Sequence, residues 1–405
     1  MINLSASSIA AFKACPTRWY NAYVLGIRRV EDTEAQRVGT NWHKILEIAS
    51  LKPGSICKCV SQAGPTSIQY NPDCPLCAGT GFLPDDIMDA VIRELDRAYK
   101  NIPASVSVED AEIERITLLY SLIGYRWLYS DQEPEQTICR ELEFELPLMN
   151  PTSCRALPNV KLKGKIDKIL RLSNGDLAIK EHKSTSKGID QDSPYWGHLN
   201  LDTQTTMYLY AARWMQVNDP RVPYSGVGRD FKPVATILYD VWHKPGISPK
   251  KLSQSDSKKF VEDGEYCGQK FEVHQLAIVS TPGPSFAIGE TNITVEPGAK
   301  GGTFAIKETP EMFGARLLQD ITQRPEFYFA CKQLVRTDKE MKQFEWELLH
   351  IYRAMQGIKK AGCPYHNEQQ CEAKFRCDYM PFCYNGIVLG KDNVPDGFKI
   401  RTEEN

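Results

Sequence analysis

Residues 164–184, GKIDKILRLSNGDLAIKEHKS, constrain the fold more than any other stretch. Two apolar runs flank Ser173-Asn174-Gly175, the pattern of a β-hairpin. Three polar residues interrupt the runs: Asp167, Glu181 and Lys183. Side chains alternate along a strand, so Glu181 and Lys183 share a face. The turn decides where Asp167 points. A two-residue loop at Asn174-Gly175 pairs Ser173 with Asp176 and sets Asp167 against His182. A three-residue loop pairs Leu172 with Asp176 and sets Asp167 directly opposite Glu181. Gly175 suits the left-handed third position of the longer loop, so that turn, or a bulge of equal effect, is predicted. The two carboxyl groups then lie about 5 Å apart at Cβ. They repel unless a cation lies between them, and hard oxygen donors on a rigid sheet suit Mg2+ or Mn2+.

The rest of the chain supplies the setting. Its 405 residues, 42% hydrophobic and 25% charged, can bury a sizeable core in one elaborated domain or in two or three, and are not globally disordered. A formal net charge of −2 leaves a nucleic-acid partner open, because a local basic groove is compatible with a balanced total. No run approaches the ~18–20 apolar residues of a membrane span. The start, MINLSASSIAAFKACP, lacks a basic region followed by a long apolar one. No secretory signal is therefore expected, and a cytoplasmic, reducing compartment is.

Residues 5–25 read as a helix bent at Pro16, and 36–50 as a second helix with Trp42, Ile45, Leu46 and Ala49 on one face. Residues 85–130 are mostly helical, 137–148 a strand, 201–217 a helix and 234–244 a central strand. This alternation predicts an α/β core with a central mixed sheet flanked by helices. The expected organisation is N-terminal helices over 1–51, a Cys-, Pro- and Gly-rich insertion over 52–84, the core over 85–243, a β-rich insertion over 244–308, C-terminal helices over 309–390, and a mobile tail over 391–405.

An acid-x-Lys triplet alone carries little. Asp230-Phe231-Lys232, Asp256-Ser257-Lys258, Glu340-Met341-Lys342 and Glu372-Ala373-Lys374 lie in linkers or polar helices, where solvated charge explains them. The order of motifs singles out 181–183. His43 in GTNWHKILE comes first, then Asp167 in GKID, then Glu181-His182-Lys183 after an apolar strand. Gln204 and Tyr208 follow, i and i+4 on one helical face. This series resembles the PD-(D/E)xK nuclease superfamily, in particular its RecB-like branch with the CRISPR-associated adaptation nucleases and AddB-type exonucleases. The resemblance covers residues 1–50 and 139–243, together with the last cysteines. It implies a restriction-endonuclease-like core in which Asp167, Glu181, the backbone carbonyl of His182 and His43 hold one or two divalent ions. It further implies that Lys183 orients or activates water for in-line attack on phosphorus, and that Gln204 and Tyr208 position the strand and Lys183.

Thirteen cysteines in a reducing compartment point to metal rather than disulfides. Cys57-x-Cys59 and Cys74-x-x-Cys77, separated by a Pro/Gly-rich loop, offer the four thiolates of a structural Zn2+ knuckle. For the terminal cysteines the resemblance is the guide. It implies that Cys15 joins Cys371, Cys377 and Cys383 around a 4Fe–4S cluster, with zinc the alternative for four thiolates. The first gap of this set has five intervening residues where the family often has two. Cys363 is either free or a replacement for Cys371. Either metal ties together segments about 360 residues apart, so much of its value is loop closure. Cys139, Cys154, Cys267 and Cys331 read as ordinary thiols.

The expected function is a metal-dependent deoxyribonuclease, an exonuclease on single-stranded DNA or DNA ends, serving recombination, repair or replication. The segment RPEFYFACKQLVRTDKEMKQFEWEL resembles phage-borne members of the superfamily, which implies a viral source and the host cytoplasm. Trp42, Tyr195, Trp196 and Tyr208 either stack bases or fill the core. Lys161, Lys163, Lys165, Lys168, Lys180 and Lys187 gather around the hairpin, either facing phosphates or as solvated strand-edge charges. The alternatives are a metal-stapled DNA-binding protein without cleavage, and a nuclease subunit active only in a larger complex contacted through 52–84 and 245–305.

Overall fold

In the computed structural model, residues 1–64, 67–130, 136–222, 232–276, 285–373 and 376–401 are described. The chain begins with a short strand, β1 (Ile2–Leu4), and turns at once into α1 (Ala6–Ala14). The Ser5 hydroxyl closes the first turn of α1 by accepting from the Ser8 N–H. The helix ends at Cys15, whose extended backbone accommodates the proline that follows, and restarts as α2 (Pro16–Trp19). A π turn over Tyr20–Val24 leads to β2 (Ile27–Arg29) and then α3 (Glu34–Ala49), which starts with a capping box between Thr33 and Gln36. The cysteine-rich segment holds the small strands β3 (Ser61–Gly64) and β4 (Ser67–Gln69). Helices α4 (Ile87–Lys100) and α5 (Val108–Leu128) begin at Asp86 and Ser107, whose side chains accept from the first-turn N–H groups.

The central elements are β5 (Gln136–Met149), β6 (Ala156–Arg171), β7 (Leu177–Thr185), α6 (Thr203–Asn218) and β8 (Thr236–His243). Helix α7 (Gln254–Asp263) and the short described strands β9 to β15, between Glu265 and Ile306, form a side unit. The unit has its own small core of Leu252, Phe260, Phe286, Ile293, Ile306 and Met312. The chain returns through α8 (Pro310–Gln323), α9 (Pro325–Tyr328), β16 (Phe329–Val335), α10 (Asp338–Ala361), α11 (Met380–Tyr384) and β17 (Phe398–Ile400).

The described strands β1, β5, β6, β7, β8 and β16 make one mixed sheet. β5 runs antiparallel along one edge of β6, and β7 and β1 share the other. β7 pairs in parallel with β8, which requires the crossover through α6, and β16 closes the far edge antiparallel to β8. Helices cover both faces. Against one face pack α1, α6 and α10, through Ile9, Phe12, Met207, Tyr208, Leu348 and Tyr352. Against the other pack α3, α4, α5 and α8, through Trp42, Ile45, Val91, Leu118 and Leu317. Among the described residues no helix is long and apolar enough to cross a membrane.

The sheet also takes β1 and β16 from outside residues 139–243, because an open strand edge is completed by whatever chain docks against it. Within the segment expected to be mobile, 391–405, the structure describes a strand. β17 pairs with β2 through Ile400, and the Phe398 ring packs on Tyr379 and Phe382. Of the other acid-x-Lys triplets, Asp256 to Lys258 lies on α7 and Glu340 to Lys342 on α10, while Asp230, Phe231 and Lys374 lie outside the described residues.

Candidate metal centre and catalytic site

The hairpin turn has three residues. Leu172 N–H donates to the Asp176 carbonyl at 2.9 Å and Gly175 N–H to the Leu172 carbonyl at 2.8 Å, with Gly175 at φ +84°. The β6–β7 ladder runs from Arg171↔Leu177 to Lys168↔Lys180, and one step further the same register sets Asp167 against Glu181. There the ladder stops. The Asp167 carboxylate takes the place of the next rung, accepting from the His182 N–H at 2.9 Å. β1 pairs with β6 only from Val160 to Leu162, so that edge of β6 forks between Leu162 and Lys168. The opposite edge is disturbed as well. β5 partners pass from Arg140↔Lys168 to Leu142↔Ile166, and the intervening Glu141 has a left-handed φ of 46°. Asp167 therefore sits where β6 lacks regular partners on both sides, a placement common for bends beside active sites.

The fork lets both helical layers reach one carboxyl pair. From α3, His43 Nδ1 lies 3.2 Å from Asp167 Oδ2, which leaves Nε2 as the nitrogen able to take an ion. From α6, Gln204 Nε2 donates to Glu181 Oε1 at 2.9 Å and to the Tyr208 hydroxyl at 3.0 Å. Lys183 Nζ lies 2.6 Å from the same Oε1. Tyr208 reaches the strand because Gly164 has no side chain: a Cβ there would stand 3.2 Å from Tyr208 Cε1 and 2.5 Å from Phe144 Cζ.

The two acids differ in protonation. Burial alone would raise Asp167, but the hydrogen bond from His43, with His182 and Lys183 beyond it, outweighs burial and takes the carboxyl to about 2. Glu181 is 1% exposed, and burial pushes it up to about 7 despite Lys183. Burial also opposes charge on Lys183, yet Glu181 and then Asp167 hold its ammonium above the usual lysine range. Glu181 Oε2 is buried with no hydrogen-bond partner. An orphaned acceptor beside a second carboxylate fits a divalent cation, which would supply the missing partner. His43, Asp167 and Glu181 are not drawn into a closed three-donor set, because Asp167 is engaged by His43 and His182, and Glu181 by Lys183 and Gln204.

A model of the PD-(D/E)XK nuclease superfamily matches residues 3–384. The chain belongs to the PD-(D/E)XK nuclease superfamily. Comparison with curated proteins returns no match.

Beside the Asp167–Glu181 pair of this PD-(D/E)XK superfamily chain lies a second polar group that the sequence alone does not reveal. On the α5 face of the sheet, His182 Nδ1 lies 3.1 Å from Asp240 Oδ2, which also accepts from the Tyr125 hydroxyl at 2.5 Å. Burial takes the His182 ring down to about 4, so it is neutral near pH 7. The signal was an acid in the otherwise apolar run VATILYDVWHK, where only a buried partner makes Asp240 tolerable.

The aromatic and basic candidates near the PD-(D/E)XK site read differently in the structure. Trp42, 1% exposed, stacks on Trp242 at 4.3 Å between ring centres. Tyr195, Trp196 and Tyr208 are also buried, so all four serve the core. Lys161 and Lys163 pair with Glu145, and Lys165 with Glu141. Burial, and then the facing Lys180, push Lys168 down to about 8. Three of the six lysines, Lys161, Lys163 and Lys165, are thus paired with acids of β5.

Cys57 Sγ lies 3.7 Å from Cys74 Sγ, and Cys59 Sγ lies 3.5 Å from Cys77 Sγ. Four ligands at a Zn–S distance of about 2.3 Å give tetrahedral edges of about 3.8 Å. These are the only four described His, Cys, Asp or Glu side chains whose ligand atoms all lie within 4.8 Å of one another. Burial pushes the Cys57 thiol up to about 12. Burial would raise Cys77 too, but N–H groups of Gly81 and Gly79 and the Cys59 thiol bring it to about 7. Cys377 and Cys383 each feel the charges of Cys15 and Cys371, so the N- and C-terminal cysteines lie near one another. Cys363 is exposed.

Proposed function

We propose that this PD-(D/E)XK protein is a divalent-metal-dependent deoxyribonuclease of the RecB-like branch, acting on single strands or DNA ends in recombination, repair or replication. The observation that carries the reading is the Asp167–Glu181 pair, with Lys183 beside it and Glu181 Oε2 left without a partner. Asp167, Glu181, the His182 carbonyl and His43 Nε2 would hold Mg2+ or Mn2+. When bound, the ion supplies Lewis acidity and lowers the pKa of water. Lys183 would orient an attacking water toward phosphorus, and Gln204, which donates to Glu181 Oε1 and to the Tyr208 hydroxyl, would hold Glu181 against α6. Cys57, Cys59, Cys74 and Cys77 hold zinc, which the 3.5 and 3.7 Å thiol separations suit. Cys15, Cys371, Cys377 and Cys383, which lie near one another, hold a 4Fe–4S cluster.

The test uses end-labelled single- and double-stranded DNA with Mn2+ or Mg2+. Asp167→Ala and Lys183→Ala should each lose about 100-fold or more of the wild-type rate, the range of a lost catalytic group. Equal degradation by all three chains would mean a contaminant and end the assignment.

A further inference from the structure

The four-cysteine segment shares a core with the helix that carries His43. Cys57, Cys74, Leu76, Cys77 and Leu83 are buried together with Trp42 and Ile45 of α3. Lys58, between the first two cysteines, reaches Glu47 Oε1 at 3.0 Å, and Lys44 holds Oε2 at 2.7 Å. Glu47 is one turn beyond His43, on the same helical face. Lys165, two residues before Asp167, feels the charges of both Asp167 and Glu47. Arg140 donates to the Ser50 carbonyl at the end of α3. The segment thus forms a wall along the side of α3 that carries Glu47. Lys44, Lys58, Arg140 and Lys165 gather there with the carboxylates of Glu47, Glu94 and Glu141 among them.

The same wall exposes apolar side chains. Ile56 and Phe82 face each other across an antiparallel bridge and are 68% and 57% exposed. Tyr70, 51% exposed, places its ring 4.0 Å from where a Cβ of Gly81 would stand, next to Phe82. Exposed rings beside cations suit a single nucleic-acid strand, because every base offers a face for stacking and lysines meet phosphates. The centre of a protein interface is instead depleted in charge.

Building on the nuclease reading, we propose that this knuckle grips single-stranded nucleic acid alongside the helix that carries His43. Tyr70 and Phe82 stack bases there, Ile56 packs beside them, and Lys58, Lys44 and Lys165 face the backbone.

Equilibrium binding of fluorescent oligothymidylate tests this in an Asp167→Asn background, without added divalent metal. The Tyr70→Ala/Phe82→Ala chain should bind about tenfold more weakly. The Tyr70→Phe/Phe82→Tyr chain keeps the rings and should bind as the parent does. Lys58→Gln should lower the slope of log affinity against log salt by about one. Zinc per chain, measured on each variant, shows that the knuckle is intact. Parent-like affinity in the double alanine chain with zinc retained overturns the proposal, as does equal weakening by the ring-preserving pair. Cleavage by the wild-type chain is scored separately, so a failure of the nuclease reading is distinguishable from a failure of the grip.

Discussion

Glu181 carries opposed demands. One oxygen is fixed by Lys183 and Gln204, the other has no partner, and burial holds the carboxyl at about 7. A metal ion needs the carboxylate, so below about pH 7 binding must expel a proton. Apparent Mn2+ affinity should therefore fall about tenfold per pH unit below about 7 and level off above it. Calorimetric titration at about pH 6, in buffers of different ionisation enthalpy, should count about one proton released; none would mean Glu181 is already ionised in the free protein. Gly164 is the second residue with a sharp expectation. Gly164→Ala drives a methyl into Phe144 and Tyr208 and should cost about 1–3 kcal/mol in thermal or urea unfolding. Unchanged stability would show that both rings swing clear. At this scale the sequence was informative where chemistry is local: Gly175 chose the turn, and the turn placed Asp167 opposite Glu181. It was silent where chemistry is shared between distant segments, as in the contact of Tyr125, Asp240 and His182, since nothing near Asp240 announces its partners.

Among the elements, long periodic segments were legible. α3, α6, β5 and β8 lie within a few residues of where their apolar spacing put them, because each buries one regular stripe or a continuous run. Three-residue strands such as β1 and β17 were not, since so short a run has no periodicity and exists only through its partner. β17 yields a prediction. Ending the chain at Val394 removes its pairing with β2 and the Phe398 ring from Tyr379 and Phe382. Limited proteolysis should then cut near Cys377 and Cys383 several-fold faster than in the full chain, because local opening would cost less. Equal cutting rates would mean that the cysteine segment is held without the strand.

For the whole molecule, the proposed metals and the direct contacts between the N- and C-terminal segments are separate fastenings. Tyr365 O accepts from the Thr17 amide and hydroxyl, Asn367 donates to Ala14 O at 2.8 Å, and Tyr379 donates to Ile27 O at 2.5 Å. Protein purified without oxygen should carry about four iron atoms and about one zinc per chain, and Cys377→Ala should lose the iron while keeping the zinc. Colourless protein with zinc in both sites would reassign the terminal thiols. The pairing of β2 with β17 also sets a timetable for biosynthesis. Ile27 is made more than 370 residues before Ile400. At about 5–20 residues added per second, the first segment waits roughly 20–75 s on the ribosome for its partner. Throughout that interval β2 has no strand to pair with, so this fastening forms only after every described strand of the central sheet has been made.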